Sequence, residues 1–111
     1  MNDINYFNED NTINIEGIID KHIRIQVKSF TSDDIFTEIK KIYDMLSKKF
    51  EDEWDKTNQF NKDVFYRYFA NDGKKSELYA KTKDMIDFKI DQAFQDRQLA
   101  QISKGRFRIV K

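Results

Sequence analysis

Ile35, Ile39, Ile42, Leu46, Phe50 and Trp54 recur at steps of three and four residues. Six apolar side chains at that period make the stripe of an amphipathic helix, about residues 33–56, which needs cover along its length. Lys40, Lys41, Asp44, Lys48, Glu51, Asp52 and Asp55 fall on the opposite, solvated face. Thr31 or Ser32 can cap its start, and Asp33 and Asp34 suit the positive end of the helix dipole.

A second long helix is expected at about 75–103, opened by Ser76 and Glu77. Its stripe runs through Leu78, Tyr79, Thr82, Met85, Ile86, Ile90, Ala93 and Phe94, and on to Leu99 and Ile102. Gly105 then stands where a left-handed residue would end that helix. Between the two, Thr57-Asn58-Gln59 breaks the pattern. Asn61 can cap a short helix through Asp63–Phe69, with an aromatic strand as its alternative, and Asn71-Asp72-Gly73 is a turn.

Elsewhere the period is two. Ile13 and Ile15 alternate with Asn14 and Glu16, and Ile23, Ile25 and Val27 alternate with His22, Arg24, Gln26 and Lys28. That pattern predicts a β-hairpin within 12–30, and Phe107, Ile109 and Val110 beside Arg106 and Arg108 predict a last strand. The expected fold is α+β: a small antiparallel sheet, made of an N-terminal hairpin plus a C-terminal strand, packed against two long helices and one short helix. Residues 1–111 read as a single domain, with 1–11 as a loose Asn/Asp-rich arm carrying Tyr6 and Phe7.

The chain is 39% hydrophobic and holds ten Phe, five Tyr and one Trp, enough for one core and too aromatic for disorder. Twenty basic residues balance twenty acidic ones, so no global field draws it to nucleic acid or an anionic membrane. It has no cysteine, which excludes disulfides and thiolate chemistry. The N-terminal residues lack the apolar core of a signal peptide, and no apolar run approaches the ~18 residues of a membrane span. The expectation is a cytoplasmic protein. Its Lys, Asn, Ile, Phe and Tyr richness, with no Pro, suits an A/T-rich genome such as that of a low-GC bacterium, its phage or a mobile element.

Catalytic chemistry has little to draw on. The lone histidine, His22, has the solvent-facing parity of its strand, and one His with no Cys leaves too few zinc ligands. Asp84, Asp87 and Asp91 share one helix face and suit a hard cation in principle, but an ordinary solvated face explains them better. Glu38-Ile39-Lys40 echoes a nuclease element but lies inside the surest helix, and the three scattered glycines build no phosphate loop. The reading is no enzyme, no metal and no cofactor.

Two features suit binding. Phe50, Trp54, Phe60, Phe65, Tyr66, Tyr68 and Phe69 crowd a short span, and rings around more than half of a short helix cannot all face one core. A protein-binding surface is therefore expected at Trp54, Tyr66, Arg67 and Tyr68, on an adaptor, inhibitor or small assembly component. A homodimer through the long helices is a further expectation. The alternative is a nucleic-acid face of Arg24, Lys28, Arg106 and Arg108, with Phe107 interleaved.

Overall fold

The computed structural model describes residues 5–53 and 62–110. The elements in chain order are α1 (Ile15–Arg24), β1 (Phe30–Thr31), α2 (Ser32–Asp52), α3 (Lys62–Val64), a π-helical segment (Phe65–Ala70), α4 (Asp72–Gln95), β2 (Leu99–Ser103) and β3 (Arg106–Ile109). This is a small α+β fold with a three-stranded antiparallel sheet and two long helices.

The sheet is assembled the other way round from the expectation. Its hairpin, β2–β3, is C-terminal, and its lone strand, β1, comes from the N-terminal side. The predicted N-terminal hairpin is instead α1. Asn14 caps it by accepting a hydrogen bond from Gly17 N at 3.1 Å, and Ile18, Ile19 and Ile23 are buried. Ile15, Ile19 and Ile23 are spaced at four, a helical step that won over the alternation of Ile23, Ile25 and Val27. Those last two side chains were assigned to a buried strand face, yet Ile25 is 53% exposed and Val27 is 88% exposed.

Residues 5–14 are tied down rather than loose. Asn8 and Asn11 close a turn through Asn8 N to Thr12 O (2.8 Å) and Asn11 N to Asn8 O (3.0 Å). Asn11 takes the left-handed conformation that asparagine tolerates (φ 67°). Phe7 bridges to Ile13, and its ring lies 5.5 Å from that of Phe50 on α2. Asn14 also donates from its side chain to Asn5 O at 2.9 Å, so one residue caps α1 and anchors the segment before it.

α2 begins in a capping box: Asp34 N donates to Thr31 Oγ1 at 3.1 Å, and Thr31 N donates to Asp34 Oδ2 at 2.9 Å. Ile35, Ile39 and Leu46 of the predicted stripe are buried, joined by Tyr43. The expected last turn, with Trp54, lies outside the described residues. Asn71 caps α4 by accepting from Lys74 N at 3.2 Å, and Leu78, Thr82, Ile86 and Ile90 form its buried edge.

α4 stops at Gln95, short of the predicted 103. Its end is closed by Gln98 N to Ala93 O (2.9 Å) and Arg97 N to Phe94 O (3.1 Å), with Arg97 at φ 63°. Leu99 and Ile102 therefore belong to β2, and Gly105 (φ +76°) serves the two-residue turn of the hairpin rather than a helix end. Phe30, Leu99 and Phe107 cover the helices from the sheet. Phe30 pairs with Phe107 across β1–β3, and the Phe107 ring meets Phe94 of α4 at 5.8 Å.

Candidate functional site

Of the surface expected at Trp54, Tyr66, Arg67 and Tyr68, Tyr66 and Arg67 are exposed and Tyr68 is half-buried. The chain at 65–70 is a π-helical segment in which Phe69 is buried and Phe65 and Tyr68 pack partly against the core. Phe69 lies 6.1 Å from Phe50, and Tyr68 lies 6.5 Å from Phe69. As expected, the four rings at 65–69 do not all enter the core: only Phe69 is buried. Tyr66 stays 58% exposed, its ring 6.1 Å from that of Phe65. Trp54 lies outside the described residues.

Arg67 and Tyr68 line a cleft of about 260 Å³ with Ile13, Lys74, Glu77 and Lys81. Three cations, Arg67, Lys74 and Lys81, share this lining with one carboxylate, Glu77. Glu77 sits 3.3 Å from Lys74 and 3.4 Å from Lys81, and the hydrogen bond from Lys74, then that from Lys81, holds its carboxyl below the usual range. The cleft's described lining keeps an excess of two positive charges.

The second predicted face is brought together more fully. Lys28 and Arg108 both line a groove of about 680 Å³ between residues 26–29 and the open side of the hairpin. Gln26, Val27, Ser29, Ala100, Ile102, Ile109 and Val110 also line it, and no carboxylate side chain is among these described residues. Ile102 is 52% and Val110 50% exposed. Arg106 is turned to the groove's edge, donating to Ser29 Oγ at 3.2 Å and so tying the 26–29 segment to β3. Arg24 is exposed on the last turn of α1, away from this lining.

The same segment is held from below. Gln26 Nε2 donates to His22 O at 2.8 Å and to Glu38 Oε2 at 2.9 Å. His22, expected to face solvent, instead lies between α1 and α2, with its side chain 13% exposed and Nδ1 3.5 Å from Glu38 Oε1. The helix explains this, since position 22 follows Ile15, Ile18 and Ile19 round the buried side. The groove is thus a supported depression with an aliphatic lining and two cations.

Asp84, Asp87 and Asp91 are all exposed on α4. Asp91 accepts from Gln95 Nε2 at 3.1 Å. Lys89 turns instead to α1, at 3.0 Å from Glu16 and 3.5 Å from Asp20. Among the described residues no three carboxylate or imidazole groups are arranged to hold a metal ion. No described helix is long and apolar enough to cross a membrane.

The groove's aliphatic half was missed by sequence reasoning. Val27 and Val110 had been given to strands and Ile102 to a helix stripe. Compared with protein-family models, curated proteins and solved structures, the chain matches none.

Proposed function

We propose that this protein is a non-enzymatic protein-binding module, an adaptor, inhibitor or assembly component, whose contact surface is the groove between residues 26–29 and the C-terminal hairpin. One observation carries the reading: Val27, Ile102 and Val110, each at least half exposed, gather about a single groove whose charged lining residues are Lys28 and Arg108. Scattered exposed aliphatics are ordinary, whereas a clustered set rimmed by cations favours a partner with apolar and acidic side chains.

Nucleic acid is the second reading, favoured by the absence of any carboxylate side chain among the described lining residues. Against it, no aromatic ring is among the described lining residues to offer an unpaired base a stacking platform.

The test is a pull-down from lysate of the source cells, with and without nuclease. It compares the unaltered protein with a Val27→Ser, Ile102→Ser, Val110→Ser variant whose helicity is first checked by circular dichroism. Protein partners that survive nuclease and are lost with the variant support the proposal. Partners lost on nuclease treatment transfer the groove to nucleic acid. Partners kept by the variant move the contact surface to the region of Tyr66 and Arg67.

A further inference from the structure

The cleft beside Arg67 shares no lining residue with the groove, and its chemistry is different. The N-terminal segment, the π-helical segment and the first turns of α4 meet there. Ile13 and Leu78, both buried, give it an aliphatic base, and the half-buried Tyr68 stands beside them. Arg67, Lys74 and Lys81 bring positive charge to the same depression from two elements.

The internal charges leave that cluster unanswered. Glu77 serves Lys74 at 3.3 Å and Lys81 at 3.4 Å, so one carboxylate is shared by two ammonium groups. Arg67 makes no hydrogen bond or ion pair among the described residues. Its charge does reach Asp10, outside the lining. That carboxyl is held below its usual range first by the Thr12 hydrogen bond and last by Arg67. Lys74 also stands in the first turn of α4, where the positive end of the helix dipole opposes a cation. An anion supplied from outside relieves both the surplus and the dipole.

We propose that this cleft is a binding site for a small phosphate monoester. The phosphoryl group meets Arg67, Lys74 and Lys81, and its apolar ring lies against Tyr68, Ile13 and Leu78. A lining excess of two positive charges matches a phosphoryl group, which carries about −1.5 to −2 at pH 7. Arg67 supplies a planar fork for two phosphoryl oxygens, while the lysines act as point charges that Glu77 keeps to one side. At about 260 Å³ the cleft falls below the ~300–1,000 Å³ of drug-sized sites, which limits the ligand to about one ring and its phosphoryl group.

The probes are phenyl phosphate, phenyl sulfate (the same shape with one charge) and inorganic phosphate (no ring). Binding is followed by NMR on the isotope-labelled full chain. The expected result is saturable shifts at Arg67, Lys74 and Lys81, with phenyl phosphate bound at least about tenfold tighter than either other anion. Its affinity falls as pH is lowered through about 6, where the phosphoryl group takes its second proton. Arg67→Gln, with helicity first checked by circular dichroism, weakens binding by at least about tenfold. Lys83→Gln, which removes an exposed α4 cation outside the lining, leaves it unchanged.

Equal binding of the three anions, or equal losses in the two variants, means unspecific charge attraction and overturns the proposal. Shifts confined to Lys28 and Arg108 put the anion in the groove and overturn the cleft. A phosphotyrosine peptide bound at least about tenfold tighter than phenyl phosphate makes a modified partner protein the source and overturns the small-molecule assignment. Absence of saturable binding by every probe overturns it as well. None of these outcomes bears on the groove, whose test is the partner pull-down.

Discussion

Tyr43 gives its phenolic proton to Thr82. The two oxygens are 2.8 Å apart with both residues buried, and Thr82 Oγ1 also lies 2.8 Å from Leu78 O. A backbone carbonyl can only accept, so the Thr82 proton goes to Leu78 and the Tyr43 hydroxyl is the donor in the first bond. This bond joins α2 to α4 at their shared buried edge, where Tyr43 also stacks on Tyr79 with centroids 6.1 Å apart.

The direction of that bond sets an order of mutational costs. Tyr43→Phe removes a donor and leaves Thr82 bonded to Leu78, a loss of about 0.5–1.5 kcal/mol. Thr82→Val keeps the shape but strands the Tyr43 hydroxyl in the core, a loss of about 1–3 kcal/mol. Denaturant unfolding of the two variants should rank Thr82→Val as the costlier. The reverse order would mean that Tyr43 accepts.

Burial, foremost, pushes the Tyr43 phenol up to about 12 from its ordinary value near 10. The folded state therefore holds this proton more tightly than the unfolded chain does. Its contribution is fully present below about pH 10 and is lost as pH rises from about 10 through about 12, by roughly 2–3 kcal/mol in all. Alkaline unfolding of the natural protein should show that fall, and Tyr43→Phe should flatten it.

Gly17 and Asn14 should be coupled. A Cβ at position 17 would meet the Asn14 side chain that caps α1. In the natural background Gly17→Ala gains up to about 1 kcal/mol of helix propensity but forfeits a cap of similar worth, so little net gain is expected. In an Asn14→Ala background no cap remains to lose, and the same substitution should stabilise by about 0.5–1 kcal/mol. Thermal melts of the four-member cycle measure the coupling.

Gly105 turns the hairpin at φ +76°, with open space where a side chain would stand. Gly105→Ala is therefore disfavoured by backbone conformation alone and should cost about 1–2 kcal/mol. Loss of cross-strand nuclear Overhauser contacts between Gln101 and Phe107, with α2 and α4 retained, would report the hairpin opening first.

The helices carrying the core were legible because their period is long enough to be unambiguous. Ile35, Ile39 and Leu46 on α2, and Leu78, Ile86 and Ile90 on α4, are buried as their spacing requires. The N-terminal helix was not legible, since Ile13 to Val27 satisfies a step of two and a step of four at once. Asn14 and Glu16, the cap and the first-turn acid, were the signal that could have decided it.

The candidate groove was legible by half. Arg24, Lys28, Arg106 and Arg108 were read as one positive face, and the structure brings Lys28 and Arg108 into a common lining with Arg106 at its edge and Arg24 away from it. The aliphatic half was hidden because exposure of Val27, Ile102 and Val110 follows from where the chain crosses the sheet, which no local pattern encodes. In the aromatic cluster the spacing showed that the rings could not all be buried, but not that Phe69 is the one the π-helical segment turns into the core.

The two walls of the groove come from distant parts of the chain. Arg106 reaches Ser29 across 77 positions, and β1 joins β3 through two residue pairs, Phe30–Phe107 and Thr31–Arg106. Closing so long a loop is entropically slow, whereas each helix and the C-terminal hairpin can form from near neighbours. The groove is therefore expected to be a late product of folding, absent from a chain that has already collapsed around α2 and α4 until β1 docks.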